Sequence, residues 1–170
     1  MDSATARIGE GLRRAMHAEN EGRHFYLMAA GSTGGAAGRE TFEGMAAEEQ
    51  RHFEFLMAQL RSLADTGHLD ATLDPGAAQS FRGDHPIFSA EILRRVGDAH
   101  YEMTALAIGI QLERSAVDFY RGEAAAVSDP IAKSFYEKLA TWEQGHLAAL
   151  QRQADALRET YWQDAHFAPF

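Results

Sequence analysis

The sequence predicts an all-α fold, a four-helix bundle of two antiparallel helical hairpins joined by a long crossover. Apolar residues recur with the spacing of an amphipathic helix along nearly the whole chain, and no long stretch alternates with the two-residue period of a half-buried strand. Glycine, proline and acidic turn residues break this helical pattern at two short segments and, between them, at one long segment. A helical bundle with one long crossover has its connections in that order.

The first predicted hairpin spans about residues 3–64. Its first helix runs from about Ser3, a favourable N-cap residue, to about Ala30, and the glycine-rich run Gly31–Gly38 ends it. Its second helix runs from about Arg39 to about Ala64 and is closed by Asp65, Thr66 and Gly67. Because the connection between them is short, we expect the two helices to pack as an antiparallel pair.

The crossover is predicted over about residues 65–88. Pro75, Gly76, Gly83 and Pro86 exclude a continuous helix in this segment. An extended chain covers about 3.3 Å per residue whereas a helix rises only about 1.5 Å per residue. A connection of about twenty residues can therefore cross the length of a bundle.

The second predicted hairpin spans about residues 89–160. Ser89 caps its first helix, which runs from about Ala90 to about Val127. The segment Ser128-Asp129-Pro130 ends that helix and starts the next, since proline is favoured at the first helical position. The last helix continues to the end of this hairpin. The aromatic tail, residues 161–170, is predicted to be a short docking segment.

A single domain is expected for the 170 residues, and their composition narrows the classes of function. The formal net charge of -9 argues against nucleic acids and anionic membranes as partners. The chain has no cysteine, so disulfides, thiolate metal sites and thiol nucleophiles are excluded, and any metal must be held by Asp, Glu and His. Since the longest apolar run, about residues 105–110, is too short to span a membrane, and residues 1–20 hold no apolar signal core, we expect a cytoplasmic location.

The two hairpins repeat one another at an offset of 94 residues. The matched pairs are Glu19 and Glu113, Phe25-Tyr26 and Phe119-Tyr120, Glu43 and Glu137, Met45 and Leu139, Glu49 and Glu143, and His52 and His146. A gap-free match over all of these positions is not typical of two unrelated amphipathic helices.

The matched polar residues form a pattern typical of a dinuclear metal site. Each hairpin supplies one Glu from its first helix and a Glu-x-x-His motif from its second, and residues three apart project from nearly the same helix face. These residues fall on the apolar stripes, where four carboxylates would repel one another and lose their solvation unless cations were present. We therefore predict two divalent metal ions, a role for which iron, manganese or zinc is suited, bound by Glu19, Glu49, His52, Glu113, Glu143 and His146.

A surface or salt-bridged position is the alternative interpretation of these six residues. It requires both the repeat and the position on the apolar stripes to be accidents. A third motif, Glu21-x-x-His24, provides a control, because its counterparts in the repeat are Ser115 and Asp118. It lies on a different face of the first helix from Glu19 and is predicted to be solvated.

At these motifs the sequence resembles the ferritin-like superfamily and, within it, the rubrerythrin diiron-binding domain. The matching segments are residues 19–26, 47–52, 112–120 and 143–146. The resemblance implies two iron ions bridged by Glu49 and Glu143, with Glu19 and His52 completing one ion and Glu113 and His146 the other. It also implies that Tyr26 and Tyr120 donate hydrogen bonds to the carboxylate ligands, with plain core packing as their alternative role. Bacterioferritin has a similar doubled motif, but the crossover and the long third helix favour the rubrerythrin type.

Two departures from the rubrerythrin pattern bear on function. Rubrerythrins usually end in a rubredoxin-like iron domain with four cysteine ligands, and this chain has no cysteine. Electrons are therefore expected from an external donor protein or from iron itself. Rubrerythrins also carry a second glutamate three residues after the ligand that Glu113 matches, whereas this chain has Ala116, which cannot be a ligand.

The resemblance implies a non-haem diiron oxidoreductase that reduces hydrogen peroxide or dioxygen, with no catalytic residue beyond the metal ligands. Two alternatives stay open at this point. One is a ferroxidase or iron storage or transfer protein whose substrate is Fe(II), and the other is a metal-stabilised bundle with no turnover. Homodimers are common among the relatives, so we expect a homodimer.

Overall fold

Four α-helices make up most of the residues described by the computed structural model, which are 3–33, 36–74, 76 and 99–164. Helix α1 spans Ser3–Ser32, α2 spans Ala36–Thr66, α3 spans Ala99–Ala126 and α4 spans Pro130–Asp164. Within these ranges there is no β-strand. Helix α1 packs against α2 and α3 packs against α4, so the predicted all-α bundle of two hairpins is confirmed.

Local sequence signals explain two of the helix ends. Gly67 follows α2 with a φ of 77°, in the left-handed region, and its N–H donates to the carbonyl of Leu63 at 3.0 Å. Helix α4 starts at Pro130, as expected from the sequence. The carboxylate of Asp129 caps it by accepting the N–H groups of Ile131 at 2.9 Å and Ala132 at 2.8 Å.

Other helix ends lie beyond the positions expected from the sequence. Helix α1 includes Gly31 and α2 includes Gly38, because a helical glycine costs only about 1 kcal/mol relative to alanine and packing outweighs it. Helix α4 extends to Asp164, so residues 161–164 of the expected tail are helical; neither glycine nor proline occurs between Gly145 and Pro169 to stop it. The predicted cap at Ser89, most of the crossover and residues 165–170 lie outside the described residues.

Two apolar clusters form the core, and a polar layer separates them. The Leu12 cluster includes Leu12, Leu56, Tyr120 and Leu139, and the Met45 cluster includes Tyr26, Met45, Leu106 and Leu150. Along the chain, α1 and α4 pass from the Leu12 cluster to the Met45 cluster, whereas α2 and α3 pass in the opposite direction.

The helix directions explain why a long connection is needed. Because α2 and α3 run in the same direction, the end of α2 and the start of α3 lie at opposite ends of the bundle. A short turn cannot join helices in that arrangement.

No helix in the described ranges combines the length and the hydropathy needed to cross a membrane.

Candidate metal centre

Six buried carboxylate and imidazole side chains form the polar layer between the two apolar clusters. Each of these residues is at most 4% exposed, and the six are Glu19, Glu49, His52, Glu113, Glu143 and His146. On α1, for example, Glu19 lies between Leu12 of one cluster and Tyr26 of the other. The helix periodicity that packs these apolar neighbours therefore also turns the acidic residues inward.

The candidate ligand atoms of this layer fall into two overlapping groups. Within each group the four atoms lie within 4.8 Å of one another; one group is Glu19, Glu49, His52 and Glu143, and the other is Glu49, Glu113, Glu143 and His146. Glu49 and Glu143 belong to both groups. This is the arrangement expected of two ions that share two carboxylates and have one further Glu and one His each. The assignment of the six residues as ligands stays a prediction.

Both imidazoles present Nδ1 to the carboxylates. Nδ1 of His52 lies 3.2 Å from Oε2 of Glu19 and 3.1 Å from Oε1 of Glu143. Nδ1 of His146 lies 3.1 Å from Oε2 of Glu143 and 3.7 Å from Oε2 of Glu113. The two rings are 6.2 Å apart and nearly parallel, at 17°. A cation in this layer would therefore be bound through Nδ1 of each histidine.

When no metal is bound, protons on carboxyl groups and imidazoles offset the negative charge of this layer. In the described part of the chain, the ion pairs of the four glutamates are with histidines and not with lysine or arginine. Burial and the charge of Glu143 raise the pKa of Glu113 to about 8, and burial with Glu143 and Glu19 raises the pKa of Glu49 well above its ordinary value.

The two histidines are the cationic groups of the layer when they are protonated. Burial acts to lower the pKa of His52, but its contacts with Glu143 and Glu19 outweigh burial and raise it to about 10. The pKa of His146 is also raised, because contacts with Glu113, Glu143 and Glu48 outweigh its burial. Glu143 changes in the opposite direction, since the two histidines outweigh its burial and lower its pKa. Divalent cations would replace these protons directly.

One carboxylate oxygen shows that the residues fit a metal ion. Oε1 of Glu143 is buried and has no hydrogen-bond partner among the described residues, although Nδ1 of His52 is 3.1 Å away. A buried charged oxygen that lacks a well-directed hydrogen-bond donor is costly, and a cation bound beside it removes the cost. Carboxylate oxygens with imidazole nitrogens are suitable donors for iron, manganese or zinc.

Two fully buried tyrosines join the hairpins through hydrogen bonds to two of the predicted ligands. The hydroxyl of Tyr26 donates to Oε1 of Glu113, and that of Tyr120 donates to Oε1 of Glu19. Burial, followed by the charge of the partner glutamate, raises the pKa of each phenol, so both keep their protons and act as donors. Tyr26 also stacks on Phe42 with ring centroids 6.2 Å apart, so hydrogen bonding and core packing occur together.

Glu48 is a buried residue of the site that sequence reasoning missed. Its Oε2 lies 2.5 Å from Nε2 of His146, and its Oε1 accepts a hydrogen bond from Arg51 at 2.8 Å. Consecutive helix residues point about 100° apart, so Glu48 cannot face the same point as Glu49. It contacts Nε2, on the far side of the His146 ring, instead. Its position directly before Glu49 is the feature of the sequence that could have indicated this role.

A cavity of about 240 Å³ lies beside the carboxylates, between α1 and α3. Its lining includes Gly22 and Ala116, which are matched by the 94-residue repeat, and it reaches Glu49 and Glu143. The space exists because both matched residues are small. Since a water molecule takes about 30 Å³ in the liquid, the cavity is large enough for small molecules to reach the site.

The control motif lies on the surface, as predicted. Glu21 and His24 are exposed, and Glu21 is 3.4 Å from the exposed ring of His17. The choice of helix face that separated Glu19 from Glu21 is therefore confirmed.

Comparison with known protein families gives a match over most of the chain. The family model described as Rubrerythrin matches residues 10–154, a range that contains all six predicted ligands. The chain has no match among curated proteins and none among solved structures.

Proposed function

The chain belongs to the rubrerythrin family, and on that premise we propose that it is a non-haem diiron oxidoreductase which reduces hydrogen peroxide or dioxygen. The observation that carries this proposal is the pair of buried ligand groups that share Glu49 and Glu143. Two iron ions, when bound, would supply the two electrons that reduce hydrogen peroxide to water.

The chain's own residues hold and neutralise those ions in this proposal. Glu49 and Glu143 would be shared by both ions. Glu19 and His52 would complete the ligands of one ion, and Glu113 and His146 those of the other. Tyr26 and Tyr120 fix the orientation of Glu113 and Glu19 through their hydrogen bonds. The apolar clusters on either side limit the access of bulk water to the layer.

The size and lining of the cavity beside the site are suited to a small, uncharged substrate. Its lining combines the apolar Leu112, Ala116 and Phe119 with the carboxylates of the layer. The exposed carboxylate of Glu21 on this lining disfavours anions, whereas hydrogen peroxide and dioxygen are neutral and small. Because the chain has no cysteine for a second iron centre, we propose that an external protein returns the electrons.

A second candidate, a ferroxidase that handles Fe(II) as substrate, is favoured by the acidic side of the same cavity. Glu21, which is exposed, and the buried Glu19 and Glu113 all line it, so a cation would be attracted along it. This candidate predicts that many irons are accumulated per chain, with assembly into a shell, whereas the first predicts about two irons and the expected homodimer.

Rapid mixing of the Fe(II)-loaded, oxygen-free protein with hydrogen peroxide tests the proposal. We expect oxidation faster than that of free Fe(II), at two Fe(II) per peroxide, and loss of the effect in Glu49→Ala. The number of irons per chain and the size of the assembly, measured on the same samples, distinguish this proposal from the ferroxidase. A rate equal to that of free Fe(II) would contradict the proposal and leave a metal-stabilised bundle without turnover.

A further inference from the structure

We propose that the two metal positions differ in affinity. Glu48 accepts a hydrogen bond from Nε2 of His146, whereas Trp142, at the matching position of the repeat, stacks on the ring of His52. The inference rests on the proposed dinuclear site and concerns the order and strength with which its two positions take up metal.

Glu48 and Trp142 are matched by the repeat, since they are 94 residues apart and each directly precedes one of the shared glutamates. Each contacts the histidine of the other hairpin. Oε2 of Glu48 is 2.5 Å from Nε2 of His146, whereas the ring of Trp142 stacks on His52 with centroids 5.0 Å apart at 25°. The two halves of the site therefore differ in chemistry at one matched position.

The carboxylate of Glu48 makes His146 the better ligand. Nδ1 of His146 faces the cluster, so the proton of the neutral ring belongs on Nε2, where Glu48 accepts it. Such a hydrogen bond fixes the tautomer and the ring orientation and raises the basicity of the coordinating nitrogen. Arg51, at 2.8 Å from Oε1, balances the charge of Glu48 and holds it in place.

The indole of Trp142 acts on His52 in a different way. Stacking holds the plane of the imidazole, but a π-face does not accept the ring proton as a carboxylate does. His52 therefore coordinates without the gain in basicity that Glu48 gives to His146. The first ion is expected at the position of Glu113 and His146, and the second at the position of Glu19 and His52.

Calorimetric titration of the metal-free full chain with Co(II) tests this inequivalence. The unmodified chain is expected to bind two ions with affinities at least about tenfold apart, given that loss of such a partner typically costs 10- to 100-fold in metal affinity. His52→Ala should keep the tighter event, and His146→Ala should keep the weaker one.

Glu48→Gln, made in both single-histidine backgrounds, assigns the difference to Glu48. We expect it to weaken the remaining event about 10- to 100-fold in His52→Ala and to have little effect in His146→Ala, where its partner ring is gone. The change removes a charge at nearly constant shape, and a circular dichroism melt checks that the variant is folded.

A gain of affinity provides a second, independent readout. Trp142→Glu, placed in the His146→Ala background, is expected to strengthen Co(II) binding because it puts a carboxylate behind His52. Two binding events of equal Co(II) affinity in the unmodified chain, or an equal effect of Glu48→Gln in both backgrounds, would overturn the inequivalence but not the dinuclear site. No Co(II) binding at all by the unmodified chain would overturn the dinuclear site itself.

Discussion

The hydroxyl of Tyr26 in α1 donates a hydrogen bond to Oε1 of Glu113 in α3, so the two hairpins are joined at a predicted metal ligand. Tyr120 and Glu19 make the same link in the opposite direction. A buried carboxylate that keeps its donor keeps its orientation, whether or not a metal is bound. These links connect the packing of the bundle to the geometry of the site.

Tyr26→Phe is predicted to destabilise the metal-free bundle by about 1–3 kcal/mol, because Glu113 loses its buried donor. Urea unfolding measures the change. Tyr136→Phe is the matched control, since the hydroxyl of Tyr136 is buried without a hydrogen-bond partner among the described residues and its removal should cost little. Similar losses in the two variants would show that the hydrogen bond to Glu113 adds no stability.

Glu49→Ala is predicted to abolish binding of both metal ions, because Glu49 belongs to both ligand groups. Glu19→Ala should leave about one ion per chain, since Glu19 belongs to one group only. Elemental analysis after loading and desalting gives the numbers. Glu21→Ala is the control and should bind as many ions as the unmodified chain, because Glu21 is exposed. Equal effects of the Glu49 and Glu21 changes would contradict the choice of helix face.

The metal-free bundle is predicted to lose stability as the pH rises from about 6.5 to about 8. The pKa of Glu113 is raised to about 8 from an ordinary 4.5, so the folded state binds the extra proton, and this stability is lost as the pH rises through the folded value. The pKa of His52, raised to about 10 from 6.5, acts in the same direction up to higher pH. Glu143, whose pKa is lowered, stays ionised throughout this range.

Urea midpoints measured across this range in the presence of a chelator test the pH dependence. Loading with two divalent ions should flatten it, because the ions displace the protons of Glu113 and the histidines. A metal-free midpoint that rises with pH would mean that the carboxylates are not held protonated by their burial.

Ala116→Leu is predicted to slow peroxide oxidation of the Fe(II)-loaded protein without changing the number of bound ions. The longer side chain fills part of the cavity of about 240 Å³ beside Glu49 and Glu143. Ala107→Leu, at an exposed position of the same helix, is the matched control and should react at the unmodified rate. An unchanged rate in Ala116→Leu would show that substrates reach the site by another route.

The helix periodicity and the 94-residue repeat were sufficient to predict the bundle and the six residues of the polar layer. Periodicity places Glu19 on the same stripe as Leu12, and in antiparallel hairpins a repeated stripe must face its copy across the core. The position of one helix end, after Gly31, was less predictable because a single glycine weakens a helix only slightly.

Contacts between the hairpins could not be read from one helix at a time. Tyr26 lies seven residues after Glu19, about 10 Å along the helix, and its partner proves to be Glu113 of the other hairpin. Glu48 and Trp142 point away from the stripe on which the ligands lie, so their contacts with His146 and His52 depend on how the two hairpins face each other.

Anomalous diffraction at the iron absorption edge, on crystals of the iron-loaded chain, tests whether the buried polar layer binds two iron ions. Two iron peaks per chain are expected in the layer between the apolar clusters. Both should be bonded to Glu49 and Glu143, with one beside Nδ1 of His52 and the other beside Nδ1 of His146. An iron-soaked crystal with no peak in that layer, or with peaks only on surface carboxylates such as Glu21, would contradict this expectation.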